Sequence, residues 1–566
     1  MSANGKSGRL GRTLLWLIPL AFLAAFFFLP LGKILATAAR SALENELGLS
    51  SFKQALSPLW FTTWQAALST VLTLLLGLPS AYLYSHYRFR GKRLMRTLTT
   101  LPFILPTVVA VAGFTALLGP RGLLNLGLMK LFGLDQPPIM FMNTLWGILL
   151  VHVFYNTTIV LRVVGSAWSQ LDPRWEQTAR MLGASKRQAL REVTLPLLRP
   201  SILAATLLVF LFDFTSFGVI LMVGGPYFST LEVAIYQQTM SLFNLPLAGI
   251  LAVVQLLCTF VITWIYSKIN GIRRVPLMPR LEGEILRQAR SLKEKVALCG
   301  MNSLLALLLV APMLALVLRS FLRLAADQGN RGSFTPGFTL QYYTQLFVNS
   351  NQSIFYVPPV SAALNSLLFA LLTVVFSLVL GTLTVYAIFH NQRSQRWLDV
   401  LITLPLGASA VTLGLGFVIT FNRAPLNVRH FPLLIPIAHA LVATPFVVRS
   451  LQPALNSIPT SLRQAASVLG ASPVNVWRKV DRPLLRRPML VAAIFAFTIS
   501  LGEFGATSFL ARPETPTLPV AIYRYISMPG ELNYGQALAM STLLLVLCGL
   551  SIYLLEKLQP EGMNEI

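Results

Sequence analysis

Charge is scarce in this chain of 566 residues: Asp, Glu, Lys and Arg together make up 11% of it, while 55% is hydrophobic. An ordinary soluble domain carries about a quarter charged residues, so a water-soluble globular class is excluded. Acid is scarcer still, with 20 carboxylates against 45 Lys and Arg and only 5 His, a formal charge of +25. The three cysteines, Cys258, Cys299 and Cys548, lie in or at the edge of apolar runs at no metal-ligand spacing. They read as small core residues, and neither a redox nor a metal site is expected. A phosphate-binding Gly-x4-Gly-Lys-Ser/Thr loop is also missing, because Gly5-Lys6-Ser7 lacks the upstream glycine and the preceding strand. The chain therefore carries no ATP site of its own, and no nucleophile, cofactor or metal motif marks it as an enzyme. The basic excess does not form one patch but punctuates apolar runs, so nucleic acid is not expected as a partner.

What the chain has is long hydrophobic segments in a lipid bilayer's length range. Twelve candidates run over 12–36, 61–87, 97–119, 140–163, 201–224, 245–268, 297–323, 360–388, 398–420, 431–451, 489–511 and 534–556. Lys6, Arg9 and Arg12 before the first of them, with Ala36-Thr37-Ala38 after it, resemble a leader with a cleavage site. A retained anchor is expected instead, because cleavage would leave five spans before the middle of the chain and six after it. Alternating the spans with the N-terminus inside places 33 of the 45 Lys and Arg on the inner side, which is where positive charge stays. Both termini are then cytoplasmic. The outer loop Asn422 to His430, with Arg423 and Arg429, fits least well.

The two halves are copies of one another. His152, Arg162, Gly183, Pro196, Phe217-Gly218, Pro226 and Val233-Ala-Ile-Tyr236 recur 287 residues later as His439, Arg449, Gly470, Pro483, Phe504-Gly505, Pro513 and Val520-Ala-Ile-Tyr523. Each half holds an even number of spans, so the copies share one orientation and are related by an axis along the membrane normal. The expected organisation is a first half over 1–268, a basic cytoplasmic linker over 269–296 and a second half over 297–566.

Each copy contains one inner segment too polar to span, Leu171 to Pro200 and Ile458 to Pro488. In each, a short helix meets a Gly-Ala-Ser turn and a second amphipathic stretch that ends at Pro196 or Pro483. Glycine supplies the positive φ of the turn; the prolines are expected to break the second helix and send the chain towards the bilayer. This spacing resembles the cytoplasmic "EAA" loop of permease subunits of bacterial ATP-binding-cassette importers: Glu-Ala-Ala, three residues, Gly, nine residues, Ile-x-Leu-Pro. The matching positions are Gln177-Thr178-Ala179, Gly183 and Val193-x-Leu195-Pro196, then Gln464-Ala465-Ala466, Gly470 and Val480-x-Arg482-Pro483. Gln stands for Glu in both copies, which puts any salt bridge of that acid in doubt. Over the whole chain, two six-span halves in one polypeptide resemble the importers that serve thiamine or ferric iron. Phe214 to Pro226 and Ser500 to Gly505 are more similar to the thiamine members.

The resemblance implies an all-α membrane protein with the type I importer permease fold, two parallel six-helix repeats in the bacterial cytoplasmic membrane. It implies that two copies of a cytoplasmic ATPase, holding ATP and Mg, dock under Gln177–Ala184 and Gln464–Ala471, and that an extracytoplasmic binding protein delivers cargo. Thiamine or a related small cation is the expected cargo, with ferric iron the alternative; an ion-gradient-driven carrier is a further one, for which the paired loops would have no task. Asp213 and Glu503 are acids within apolar segments, where charge is costly and often marks a pathway. With Phe217 and Phe504 they are candidate pathway residues. His152 and His439 are expected to bond helix to helix, and Tyr155 and Asn156, which have no counterparts, to make a cavity asymmetric. The Val-Ala-Ile-Tyr segments are expected to pack on the bundle.

Overall fold

The structure is a computed structural model, and it describes residues 15–43, 49–271, 286–326, 334–348, 358–390, 401–405, 407–422, 427 and 431–558. In the first part of the chain the helices are α1 (Leu15–Arg40), α2 (Gln54–His86), α3 (Lys92–Ile104), α4 (Thr107–Leu118), α5 (Leu123–Phe132) and α6 (Leu145–Ser169). They continue as α7 (Pro173–Met181), α8 (Lys186–Phe214), α9 (Leu231–Met240) and α10 (Leu245–Ile269). The second part has α11 (Leu292–Ser320), α12 (Pro359–Phe389), α13 (Ala410–Thr420), α14 (Leu434–Asn456) and α15 (Thr460–Val468). It ends with α16 (Pro473–Gly502), α17 (Gly505–Leu510), α18 (Leu518–Ser527) and α19 (Glu531–Leu555). Strands are confined to two small pairs, Tyr87–Arg88 beside Arg287–Gln288 and the hairpin of Leu322–Ala326 with Phe334–Phe338.

Eleven helices among the described residues are long and apolar enough to cross a membrane, against twelve expected. The difference is the ninth segment, 398–420, whose described residues end in the 11-residue helix α13, capped at its start by Ser409. The equivalent third segment breaks at the same place: α3 ends at Ile104, Leu105 and Pro106 are extended, and α4 begins at Thr107. Proline removes a backbone donor and forces the preceding residue out of the helical region. In the first half the break is followed by α5, which extends the span; the corresponding stretch of the second half is 16 residues shorter, as the offset falls from 303 at Gly113/Gly416 to 287 at His152/His439.

The opening helix of each half packs on the other half. A Cβ on Gly416 of α13 would lie 2.9 Å from Pro30 of α1, and one on Gly113 of α4 would lie 2.9 Å from the Pro312 carbonyl of α11. Phe27 and Ile34 of α1 are buried there, and Phe26 packs 5.7 Å from Phe421. The N-terminal apolar run is thus an integral part of the bundle. Within each half a second close crossing joins α2 to α6 and α12 to α14, where Gly77 faces Val160 and Gly381 faces Val447. Small residues at such points let backbones approach, which is how helices gain contact in lipid. Of the cysteines, Cys548 is buried and Cys258 half-buried, but Cys299 is exposed on α11, contrary to a core role.

One end of the bundle carries α7, α15 and the strand pair at Tyr87, where Arg287 donates to the Tyr87 hydroxyl at 2.6 Å. The other end carries the hairpin and Tyr342, whose ring lies on Gly535 and whose hydroxyl donates to Glu531 at 2.9 Å. Burial, then the neighbouring Glu531 carboxylate, pushes the Tyr342 phenol up to about 12.

Gly77→Leu and Gly381→Leu should each destabilise the purified protein by about 1–3 kcal/mol through overpacking, seen as a lower unfolding midpoint. Gly127→Leu, whose Cβ has open space around it, should leave that midpoint unchanged.

Candidate functional site

The polar segments form two matching elbows at one end of the bundle. Asp172 accepts from the Arg174 amide and Pro173 occupies the first turn, which starts α7. The helix stops at Gly183, with φ +95°, where the Ala184 amide reaches back to the Ala179 carbonyl at 3.1 Å. In the second copy Gly470 has φ +80° and the Ala471 amide reaches the Ala466 carbonyl at 3.0 Å. These are glycine C-caps, a conformation that costs an L side chain about 1 kcal/mol or more. Ser185 and Ser472 then cap the next helix, accepting from the Gln188 and Asn475 amides.

Pro196 and Pro483 do not break that helix, contrary to expectation. Lys186–Phe214 and Pro473–Gly502 run on as single helices into the bundle, each through a π turn, at Leu190–Thr194 and Trp477–Asp481. The wider turn lies just before the proline, at the point where a regular helix would meet its ring and missing donor.

What the elbows leave exposed is apolar. Met181 and Leu182 are 81% and 84% exposed, and their equivalents Val468 and Leu469 are 86% and 87% exposed. Trp175 and its equivalent Leu462 are exposed as well. Gln177, Thr178, Gln464 and Ala465 lie on the open surface, with Ala179, Ala184, Ala466 and Ala471 half-buried beneath.

The elbows are fastened differently. Arg463 of α15 binds Asp481 at 2.7 Å, the Tyr386 hydroxyl donates to the same carboxylate at 2.8 Å, and the guanidinium lies over Phe389. Glu176 and Thr194 hold the positions of Arg463 and Asp481 in the first half, where instead Trp168 packs edge-on to Tyr82 at 5.3 Å and His86 at 5.7 Å. The tie that a Glu at Gln464 would have suggested is thus made by a neighbouring residue of opposite sign.

At the other end of α8 and α16 lie Phe217 and Phe504. Their rings stack on one another at 5.6 Å and 23°. Contact between equivalent positions of the two copies places the pseudo-two-fold axis between these rings. Tyr236 packs on Phe217 at 5.3 Å and Tyr523 on Phe504 at 5.4 Å, so the Val-Ala-Ile-Tyr helices are core elements, as expected. Gly218 and Gly505 leave room for the close approach: a Cβ would meet Thr107 Oγ1 at 2.5 Å or Ala410 Cβ at 2.8 Å.

Each copy holds one His–acid pair beside this junction, with acid and serine exchanged. His152 bonds Ser216 through Nε2 at 2.8 Å and has Asp213 3.3 Å from Nδ1. His439 bonds Ser500, the equivalent of Asp213, through Nδ1 at 2.7 Å, and has Glu503, the equivalent of Ser216, 3.1 Å from Nε2. Glu503 is otherwise occupied as a cap: its carboxylate accepts from the Ala506 and Thr507 amides at 2.8 and 3.0 Å and from the Thr507 hydroxyl. Asp213 accepts from Asn156 at 2.6 Å. Tyr155 serves the backbone: its hydroxyl donates to the Leu105 and Pro106 carbonyls at the helix break. A third buried acid, Glu232, bonded to Gln255 at 2.8 Å, carried no signal in the repeat, because its equivalent is Pro519.

A duplicated membrane bundle with one exposed elbow per copy and a sealed two-fold junction is the architecture of a transport permease. Sequence comparison gives the family. The chain belongs to the binding-protein-dependent transport system inner membrane components, whose family model matches it twice, over residues 73–271 and 373–563. The protein is 30% identical to the "Thiamine transport system permease protein ThiP" of Brucella abortus (strain 2308) over 541 residues, 94% of this chain and 92% of the relative. It is 27% identical to the Escherichia coli (strain K12) protein of the same name, over 88% of each chain. It is 26% identical to the "Probable ABC transporter permease protein y4fN" of Sinorhizobium fredii, over 84% of this chain and 82% of the relative.

Arg463→Leu would leave Asp481 buried with its charge uncompensated and should cost about 3 kcal/mol. Glu176→Leu, at the equivalent position of the other elbow, should stay within about 0.5 kcal/mol; unfolding midpoints of the two variants check the difference.

Proposed function

We propose that this permease forms the translocation pathway of an ATP-driven importer whose cargo is thiamine. The observation that carries the reading is the pair of matching elbows, each offering an exposed apolar dipeptide, Met181-Leu182 and Val468-Leu469, just before a positive-φ glycine. Exposed apolar side chains at the tip of a short helix are suited to a groove on a soluble partner. Two elbows call for two copies of that partner, an ATPase that binds ATP and Mg, since the chain has no phosphate-binding loop. Gln177, Thr178, Ala179, Gly183, Ala184 and Pro196, with Gln464, Ala465, Ala466, Gly470, Ala471 and Pro483, are the coupling residues. The positive-inside pattern puts the elbows and both termini in the cytoplasm, and the hairpin end outside for a binding protein.

The lever between ATPase and pathway is one helix per half. The 29 residues Lys186–Phe214 span about 43 Å at 1.5 Å per residue, from Ser185 at the elbow to the turn that carries Phe217. A tilt at the elbow is delivered to the aromatic stack. Separation of Phe217 from Phe504 opens the axis to one side, and the halves rock about it in alternating access. The stack itself contributes about 1 kcal/mol, small enough to be broken and remade in each cycle.

The relatives named as thiamine permeases support thiamine as cargo, and so does the lining. Two Phe and two Tyr rings about the axis offer stacking and cation–π contact to a flat organic cation. Ferric iron, a hard trivalent ion, would call for several oxygen ligands converging on one point.

Co-expression with an ATPase subunit and a binding protein of a thiamine importer, followed by reconstitution, tests the reading. The wild type should recover the ATPase on purification and accumulate thiamine only with ATP; thiamine uptake by the purified chain alone on an ion gradient would refute it. Gly183→Val and Gly470→Val, with nothing near the added Cβ, should leave the protein in the membrane yet lower uptake at least tenfold. Phe217→Ala should reduce the ATP dependence of thiamine retention in loaded vesicles by loosening the seal.

A further inference from the structure

At the outer end of the first half, one bulky side chain is carried where the backbone does not suit it. Phe243, in the turn between α9 and α10, has φ +52° and is 80% exposed. A left-handed φ is uncommon outside glycine and a real strain for a bulky residue. Among the described residues only Asn143 shares it without being glycine, and asparagine tolerates it. The turn is held on either side of the ring. The Ser241 and Leu242 amides both donate to the Gln237 carbonyl at 3.0 Å, and the Asn244 amide donates to the Gln238 carbonyl at 2.7 Å. Asn244 Oδ1 then accepts from the Leu247 amide at 3.2 Å and caps α10. Leu242, next to the ring, is exposed as well.

The second copy meets the same geometric demand in the ordinary way. At the offset of 287 the equivalents of Leu242 and Phe243 are Pro529 and Gly530, and Gly530 has φ +109°. Glycine takes a positive φ with no Cβ to clash, so the fold asks for that φ here and not for a ring. The first half keeps an aromatic against this demand, and internal packing does not account for it, because the side chain stands in the open. Strain of this kind persists at clamps and contact points that make use of it. Lipid supplies no such reason: the exposed Trp60, Trp146 and Trp264 all sit on regular helices near the ends of spans, the usual place of an aromatic belt. A ring held in one direction on a hydrogen-bonded turn suits a shaped, rigid surface instead.

We propose that Leu242 and Phe243 are the anchor on which the extracytoplasmic binding protein docks, the Phe243 ring entering an apolar recess on one of its two domains. The proposal rests on the importer reading above and names the contact that delivery needs. An aromatic seated in a pocket at the centre of a contact carries a large share of the binding energy. Binding proteins of this kind close two domains around their cargo. Since Pro529 and Gly530 offer no counterpart, only one domain takes the anchor, and the cargo cleft is set over the junction in a single orientation. The anchor is also close in the chain to the pathway. It follows α9, whose Tyr236 packs on Phe217 at 5.3 Å and edge-on to Phe509 of the second half at 5.4 Å.

The full chain with its ATPase is reconstituted in nanodiscs, and the affinity of the co-expressed, thiamine-loaded binding protein is measured beside basal ATP hydrolysis and the unfolding midpoint. Phe243→Asn removes the ring but keeps a residue that tolerates the turn. It should weaken binding about tenfold and leave basal hydrolysis and the midpoint unchanged. Phe243→Tyr, which keeps the ring, should stay within about threefold of the wild type. Undiminished binding by Phe243→Asn would overturn the proposal and leave the importer reading in place; a fall in its midpoint as well would assign the ring to the bilayer. Weakened binding matched by a lower midpoint would make the ring structural and overturn the proposal too. A wild type that neither binds the binding protein nor takes up thiamine would remove the importer reading, and this proposal with it.

Discussion

A backbone broken at membrane depth must find its hydrogen bonds within the protein, because lipid offers none, and the aromatic junction of this bundle is built around such breaks. Glu503 ends α16 and caps the two amides that open α17. Tyr155 takes up the carbonyls of Leu105 and Pro106 between α3 and α4. Thr62 and Ser366, one on each second helix, accept from the Leu231 and Leu518 amides at 2.9 and 2.7 Å and so start the two buried Val-Ala-Ile-Tyr helices. Asn125 donates to the Leu118, Gly119 and Ile139 carbonyls and accepts from the Ile139 amide, closing the turn after α4. Each cap costs a polar side chain in an apolar setting, and each is offset because the alternative is an orphaned peptide group. The breaks let short segments turn in towards the axis, which puts Phe217, Phe504, Tyr236 and Tyr523 in one layer.

The polar side chains near that layer therefore have two different tasks, and their partners tell them apart. Glu503 is fully engaged: two amides, one hydroxyl and one imidazole account for its carboxylate. That makes it a structural acid, whose loss would free the start of α17 and the ring of Phe504 next to it. Asp213 has the same imidazole neighbour and accepts from Asn156, but no helix start depends on it. The exchange of acid and serine around the two histidines kept the geometry of the copies and moved the charge. Symmetric architecture, with asymmetric chemistry grafted on it, is what a pathway for one asymmetric solute requires.

Much of this was legible in the sequence, and what was not has physical causes. The repeat at a constant 287 offset gave the elbows, the glycines and the facing phenylalanines, because those positions are fixed by backbone geometry and leave little choice of residue. Hydropathy reads 398–420 as one segment, whereas among the described residues a separate helix starts there after Ser409; hydropathy does not mark such a break. Pro196 and Pro483 were read as helix breakers, but a π turn accommodated them; that depends on one extra residue per turn, which leaves no mark in composition. The crossing of α1 onto α13 and of α11 onto α4 joins segments hundreds of residues apart, and Gly113 and Gly416 reveal it only once the partners Pro312 and Pro30 are in place. The Arg463–Asp481 tie was hidden because a search for the family's acid looks one residue too far along.

The difference between the elbows has a mechanical consequence. Arg463, Asp481 and Tyr386 link α15, α16 and α12 through a charged contact that is nearly dry, with side chains 14% and 4% exposed. Such a contact is rigid, since moving either ion away from the other exposes it unpaired. The first elbow has no such ion pair at the equivalent positions, which are Glu176 and Thr194; the aromatic cluster near it, Trp168 edge-on to Tyr82 and His86, joins α6 to α2. Force applied equally to both elbows would then pass through α16 to Phe504 with little loss, whereas the first elbow, without the equivalent ion pair, would pass it less directly through α8 to Phe217. The two rings of the stack would part unequally, with Phe504 leading, even though the copies that carry them are related by symmetry.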